Sequence, residues 1–183
     1  MATSLQGHLL VAAPELRDPN FFHTVVLLVQ HGDQGALGLV LNRPSQATLK
    51  QVWGQLSARE CRRADLLYVG GPVEGPLMAM HDCVDRSETE VRPGLYFCAG
   101  RENVEHLVRS DCQARFFAGF AGWGAGQLEG ELAEGAWRTR PALERHVFAA
   151  DEEMWERVLQ EIAGNEVLDA LKIKHVPPDP SMN

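Results

Sequence analysis

The sequence has no long apolar run. No uninterrupted stretch exceeds five residues, the length of Val25 to Val29, against about 18 for a membrane-spanning helix, so no membrane partner is expected. The start also lacks a basic leader, and its apolar run, Leu9 to Ala13, is too short for the core of a signal peptide. Export by that route is not expected, and the chain is assigned to the cytoplasm. Cysteine is scarce: Cys61, Cys83, Cys98 and Cys112 lie 22, 15 and 14 residues apart with no C-x-x-C. They read as reduced thiols in or near the core rather than a disulfide framework or a metal knuckle. Positive charge is short as well. Twenty-five acids against 17 Lys and Arg leave a formal charge of −8, which disfavours diffuse binding to nucleic acid or anionic lipid. There is no internal repeat and no Pro/Ser linker.

What is present suits one ordinary globular domain. At 183 residues, 45% hydrophobic and 23% charged, the chain is long enough to bury roughly 70% of its unfolded surface without a staple. Residues 8–13, 24–31 and 36–42 read as strands rich in Val and Leu. The second and third are apolar at consecutive positions, which points to central strands covered on both faces. Gly32–Gly35 reads as a four-residue hairpin loop between them. With His31 opposite Ala36, paired numbers sum to 67, so Asn42 faces Val25 beside Thr24. Pro44 closes the third strand. Thr48 opens a helix in which Leu49, Val52, Trp53 and Leu56 recur at helical spacing. Further strands are predicted at 66–70, 76–81, 95–98 and 115–120, and helices at 102–109, over QLEGEL and at 151–163, the last stopping at Gly164.

Four blocks of sequence resemble one family: GHLLVAAPELRDPNFFHTVVLL at 7–28, HGDQGALGLVLNRP at 31–44, VGGPV at 69–73 and GFAGWGAGQLEGELAEGAW at 119–137. Their order and spacing resemble the AlgH family, also called YqgE-like, of small cytosolic bacterial proteins. The resemblance implies a compact α+β fold with a curved mixed, largely antiparallel β-sheet flanked by helices. The chain is expected to form a single domain over residues 1–176, and the prolines near its end predict a flexible Pro-rich tail at 177–183. It implies a link to transcriptional regulation without a mechanism, and it brings no catalytic set. Phe120 stands where the family more usually has Tyr, so no role for a hydroxyl is carried over.

The residues themselves hold few chemical motifs. The glycines at 119, 122, 124, 126 and 130 follow a strand and precede a helix, but G-x-G-x-x-G and G-K-[ST] are absent. Tight turns around Trp123 explain them better than a phosphate site. His23 and His31, on one strand, stand about 27 Å apart, too far to share an ion, and His81 with Cys83 is no more than a pair. No metal and no cofactor is expected. No G-x-S-x-G appears, and Glu129, Glu131 and Glu134 read as the solvated side of a short helix. Trp123 and Trp137 read as packing groups.

Two clusters remain. The register above gathers Asp18, His23, Thr24, Asn42 and Arg43 at the far end of the hairpin. Structurally, Asp18 or Asn20 caps the turn and Arg43 pairs with Asp18. Functionally, Arg43 recognises an anion and Asn42 orients a ligand amide or hydroxyl, and an enzyme pocket here is the alternative reading. The second cluster is residues 43–63, where Arg43, Lys50, Arg59, Arg62 and Arg63 against Glu60 give a net +4. Residues 129–169 carry eleven acids against four bases. Lys50, Arg59, Arg62 and Arg63 are thus the candidate patch for a partner, a second copy of the chain or nucleic acid, although no second helix with a recognition face supports direct DNA reading. The reading that results is a non-catalytic protein working through an unknown protein partner or small ligand.

Overall fold

The computed structural model describes residues 4–149 and 153–170; the tail expected at 177–183 lies outside them. Strands β1 (His8–Ala12), β2 (Val25–Gly32) and β3 (Gly35–Val40) form where Val and Leu dominate. Every residue from Val25 to Val29 is fully buried. Side chains alternate across a strand, so Leu9, Val11, Val25, Leu27 and Val29 enter one core while Leu10, Ala12, Val26 and Leu28 enter another. Cover on both faces is why these strands read as unbroken apolar runs.

Seven more strands complete the set among the described residues: β4 (Pro44–Thr48), β5 (Leu66–Val69), β6 (Val73–His81), β7 (Thr89–Arg92), β8 (Leu95–Cys98), β9 (Ala114–Gly124) and β10 (Trp137–Pro141). The main sheet runs β10-β1-β2-β3-β9-β6-β8-β7, with β4 joined through β5 to β9. Among the described residues only the β5–β9 pairing is parallel. β9 is the strand the two halves share. The sheet curls until the Gln6 side-chain Nε2 donates to the Glu90 carbonyl at 2.9 Å, yet no ladder joins its ends among the described residues, so it stays open.

Five α-helices among the described residues cover it: α1 (Leu49–Leu56), α2 (Arg101–Arg109), α3 (Gln127–Ala133), α4 (Glu144–Phe148) and α5 (Met154–Ala170). Val147 of α4 and Met154, Val158 and Ile162 of α5 close the core that holds Leu27 and Phe117. Leu49 and Trp53 of α1 with Val104, Leu107 and Val108 of α2 pack on Phe116. Leu128 of α3 seals Trp123 and Trp137 over the opposite face of β2. No helix among the described residues is long and apolar enough to cross a membrane.

Several expectations are corrected. β2 and β3 reach Gly32 and Gly35, leaving a two-residue loop, Asp33-Gln34. Pairs sum to 67 only from Gln30 to Gly32; beyond a bulge at Val29 they sum to 66, Leu28 facing Gly38 and Val26 facing Val40. β3 ends at Val40, two residues short of the expected 42, and Pro44 beyond it also opens β4, since the first residue of a strand needs no amide donor. β9 runs past the expected 120 to Gly124, so Gly122 and Gly124 lie inside it with Gly119, not in a turn after it. A Cβ on Gly70 would stand 2.2 Å from the Gly119 carbonyl oxygen, so close backbone approach requires glycine there. β7, β10 and α4 were not legible, and α5 continues through Gly164 to Ala170. Gly164 is not left-handed, and without that conformation glycine costs a helix about 1 kcal/mol but does not stop it. Glu131 is not a solvated carboxylate: it accepts both indole N–H groups, from Trp123 at 2.9 Å and Trp137 at 2.8 Å. Glu129 meets the His31 ring at 3.0 Å.

Candidate functional site

The loop before β2 is held by Asp18. Its carboxylate accepts from the Asn20 amide at 2.7 Å, and its carbonyl accepts from the amides of Phe21 and Phe22. The turn ends at His23, whose φ of +53° makes it the non-glycine residue in left-handed backbone among the described residues. That conformation costs of order 1 kcal/mol and persists where the surroundings enforce it. Here the enforcement is visible. The His23 ring is sandwiched between Phe22 and Trp155, each with centroids 3.7 Å away and nearly parallel planes. Trp155 is anchored in turn, its indole donating to the Ala12 carbonyl at 2.8 Å.

Asn42 reaches across from the end of β3. Its amide oxygen accepts from the Val25 amide at 2.9 Å and its amide nitrogen donates to the His23 carbonyl at 2.8 Å. Both ends of the amide therefore serve the backbone, which leaves little to orient a ligand. Thr24 is fully buried, its hydroxyl donating to the Phe21 carbonyl at 2.8 Å. Arg43 donates to the Phe22 carbonyl at 3.0 Å rather than pairing with Asp18; among the described residues those two form no ion pair. The five residues do converge, as the hairpin geometry requires, and the bulge shifts the pairing without separating them.

Beside this brace lies an open recess of about 630 Å³, lined by Pro14, Arg17, Pro19, Phe22 and Arg43. Phe22, 46% exposed, is the outer face of the three-ring stack. Sequence reasoning missed Phe22 and Trp155; the signal available was the doubled Phe21-Phe22, of which only Phe21 packs against Trp123 and Trp137. Behind the site Arg115 is buried, its guanidinium 4.2 Å from the Tyr68 ring centroid and donating to the carbonyls of Leu41 and Ala149. Burial pulls its pKa down, partly offset by Tyr68.

The basic candidates divide. Arg63 is structural: it forms a fork with Asp65, donates to the Cys112 carbonyl at 2.7 Å and stacks over Phe116. Lys50 is exposed on α1, away from any concavity described here. Arg59 and Arg62 line a second concavity with α2. The sequence signal for α2's share was Arg101 and Arg109, eight residues apart and so on one helical face.

His81, fully buried at the end of β6, has no hydrogen-bond partner for either ring nitrogen. Desolvation lowers its pKa from the usual 6.5, against the pull of Asp82, the Cys83 backbone and Glu88. The cysteines are all free. Burial pushes the Cys98 thiol up to about 12, and contact with Cys112 raises Cys83 to about 11, so neither is an activated nucleophile.

Comparison with known proteins gives a consistent picture. A sequence profile described as AlgH-like, DUF179, matches residues 9–166. A UPF0301 protein of Chlorobium luteolum is 35% identical over 186 residues, covering 97% of this chain and 94% of the relative. The solution structure of the AlgH protein from Pseudomonas aeruginosa superposes with a TM-score of 0.76 at 32% identity, covering 96% of this chain and 97% of that one. A crystal structure of a Corynebacterium diphtheriae protein follows at 0.72 and 25%, covering 88% of each.

Proposed function

We propose, from the premise that this chain belongs to the AlgH-like family, that it is a cytoplasmic binding protein with no reaction of its own, acting through a protein partner docked at the Phe22–Arg43 recess. The observation that carries this is the Phe22–His23–Trp155 stack. It presents a half-exposed aromatic ring already held in place, next to two guanidinium groups, and rigid aromatic and Arg anchors are the residue types that dominate binding energy at interfaces. The partner segment that fits would set an apolar side chain on Phe22 and a carboxylate against Arg17 and Arg43. Any influence on transcription would then be indirect, through that partner. The enzyme alternative at Asp18, His23, Asn42 and Arg43 is weakened because Asp18 and Asn42 are engaged by the backbone.

The test is capture from a bacterial lysate with the wild-type chain, Phe22→Ala and Arg43→Ala side by side. Proteins retained by the wild type and lost by both variants, with the thermal midpoints of the free variants little changed, are expected. Retention of the same proteins by both variants would remove the recess as the docking site. Equal destabilisation of free and bound Arg43→Ala would reduce Arg43 to a brace for the Phe22 carbonyl.

A further inference from the structure

The second concavity, of about 850 Å³, lies between the segment after α1 and the exposed face of α2. Five arginines line it: Arg59, Arg62, Arg86, Arg101 and Arg109. They face two carboxylates, Glu102 and Glu105, and Glu105 is already paired with Arg59. A protein of net charge −8 thus concentrates cations in one groove. Three details mark the groove. Arg101 sits in the first turn of α2, where a cation opposes the helix dipole. The Arg86 Nε is buried with no hydrogen-bond partner. Arg62 and Arg109 are exposed and take part in no side-chain hydrogen bond or ion pair among the described residues. Like charges gathered in one groove raise its positive potential, and the buried Arg86 Nε lacks a partner, so the groove attracts an anion.

We propose that this groove binds a compact polyphosphate anion, either an inorganic chain or the oligophosphate of a nucleotide. Guanidinium forks match phosphate oxygens in pairs, and the volume lies in the range of small-molecule sites. Among the described residues no Phe, Tyr or Trp lines the groove, whose one ring is the exposed imidazole of His106, so a nucleobase finds no broad stacking platform and the phosphates carry the recognition. The net negative charge and Glu102 in the wall work against a long nucleic acid, whose affinity rests on many backbone contacts.

Titration calorimetry at low salt on the full chain, with sodium tripolyphosphate, with ATP and with a duplex of about 20 base pairs, tests this. Tripolyphosphate and ATP are expected to bind one to one with equal affinity, weakened at least about tenfold by the double substitution Arg62→Ala/Arg109→Ala and strengthened by Glu102→Gln. Because Arg62 and Arg109 are exposed and unpaired, the double variant is expected to keep its thermal midpoint; should it not, the gain with Glu102→Gln decides. No binding of either phosphate, binding unchanged by these substitutions, much tighter binding of ATP than of tripolyphosphate, or duplex binding tighter than both would each overturn the assignment.

Discussion

At the scale of single residues, Asn42 holds the hairpin end together. Its amide satisfies one donor and one acceptor of the backbone at the start of β2, and a polar backbone group left unpaired away from water costs about 1–3 kcal/mol. Asn42→Ala is therefore expected to lower unfolding free energy by about 2–4 kcal/mol, read as a shift in the urea midpoint with an unchanged slope. Asn42→Asp should recover part of the loss, because it keeps the acceptor for Val25 but sets a carboxylate against the His23 carbonyl. A midpoint unchanged by either substitution would mean that the amide bonds are replaceable by water.

Among elements, the β2–β3 hairpin and β9 depend on a single glycine. Gly35 has φ of +123°, and a Cβ there would lie 2.1 Å from the Trp123 carbonyl oxygen. Neither backbone can yield without breaking the Gly35–Gly124 and Ala36–Trp123 pairings. Gly35→Ala should cost about 2 kcal/mol or more, with amide exchange rising first at the β3–β9 ladder; Gly32→Ala, whose Cβ meets nothing within 4 Å, is the matched control and should be nearly neutral. Equal effects at the two positions would contradict this. Helix α1 shows how local chemistry sets a boundary: Thr48 caps it, and the Gln51 side chain returns the bond to the Thr48 amide at 2.9 Å. At α3 the decisive partners come from elsewhere, since Glu131 is claimed by indoles of β9 and β10.

For the whole molecule, buried neutral histidines govern the response to acid. Burial lowers the pKa of His81 and of His146 from 6.5, the latter against Glu161 and with the help of Arg140 and Arg145. Below pH 6.5 the unfolded chain takes up these protons and the folded chain resists, so their contribution is present above 6.5 and is lost as pH falls through the folded values, by up to about 1.4 kcal/mol per pH unit per proton. For Glu88 and Glu161 burial pushes the carboxyls up, but donors from Ala99, Asn103 and Gly100 and charge from Arg140 and His146 outweigh it and hold both below 4.5. Their share is lost at lower pH still. Urea midpoints should be flat above pH 7, decline from 6.5 and fall more steeply below 4.5, and His81→Phe should flatten the first decline. An equal slope in that variant would contradict the assignment to His81. The sequence by itself determined the family and with it the α+β class, through the resemblance of four blocks, and it determined the central strands and the convergence of Asn42 and Arg43 on residues 18–24, because apolar runs and hairpin connectivity are local signals. Only the tertiary structure decided the rest. The bulge at Val29 shifts a local hairpin without any mark in its apolar run, while the sharing of β9 by both halves, the stacking of His23 on Trp155, and the meeting of Arg59 and Arg62 with Arg101 and Arg109 join residues tens of positions apart, and such long-range packing leaves no periodicity in the chain to read.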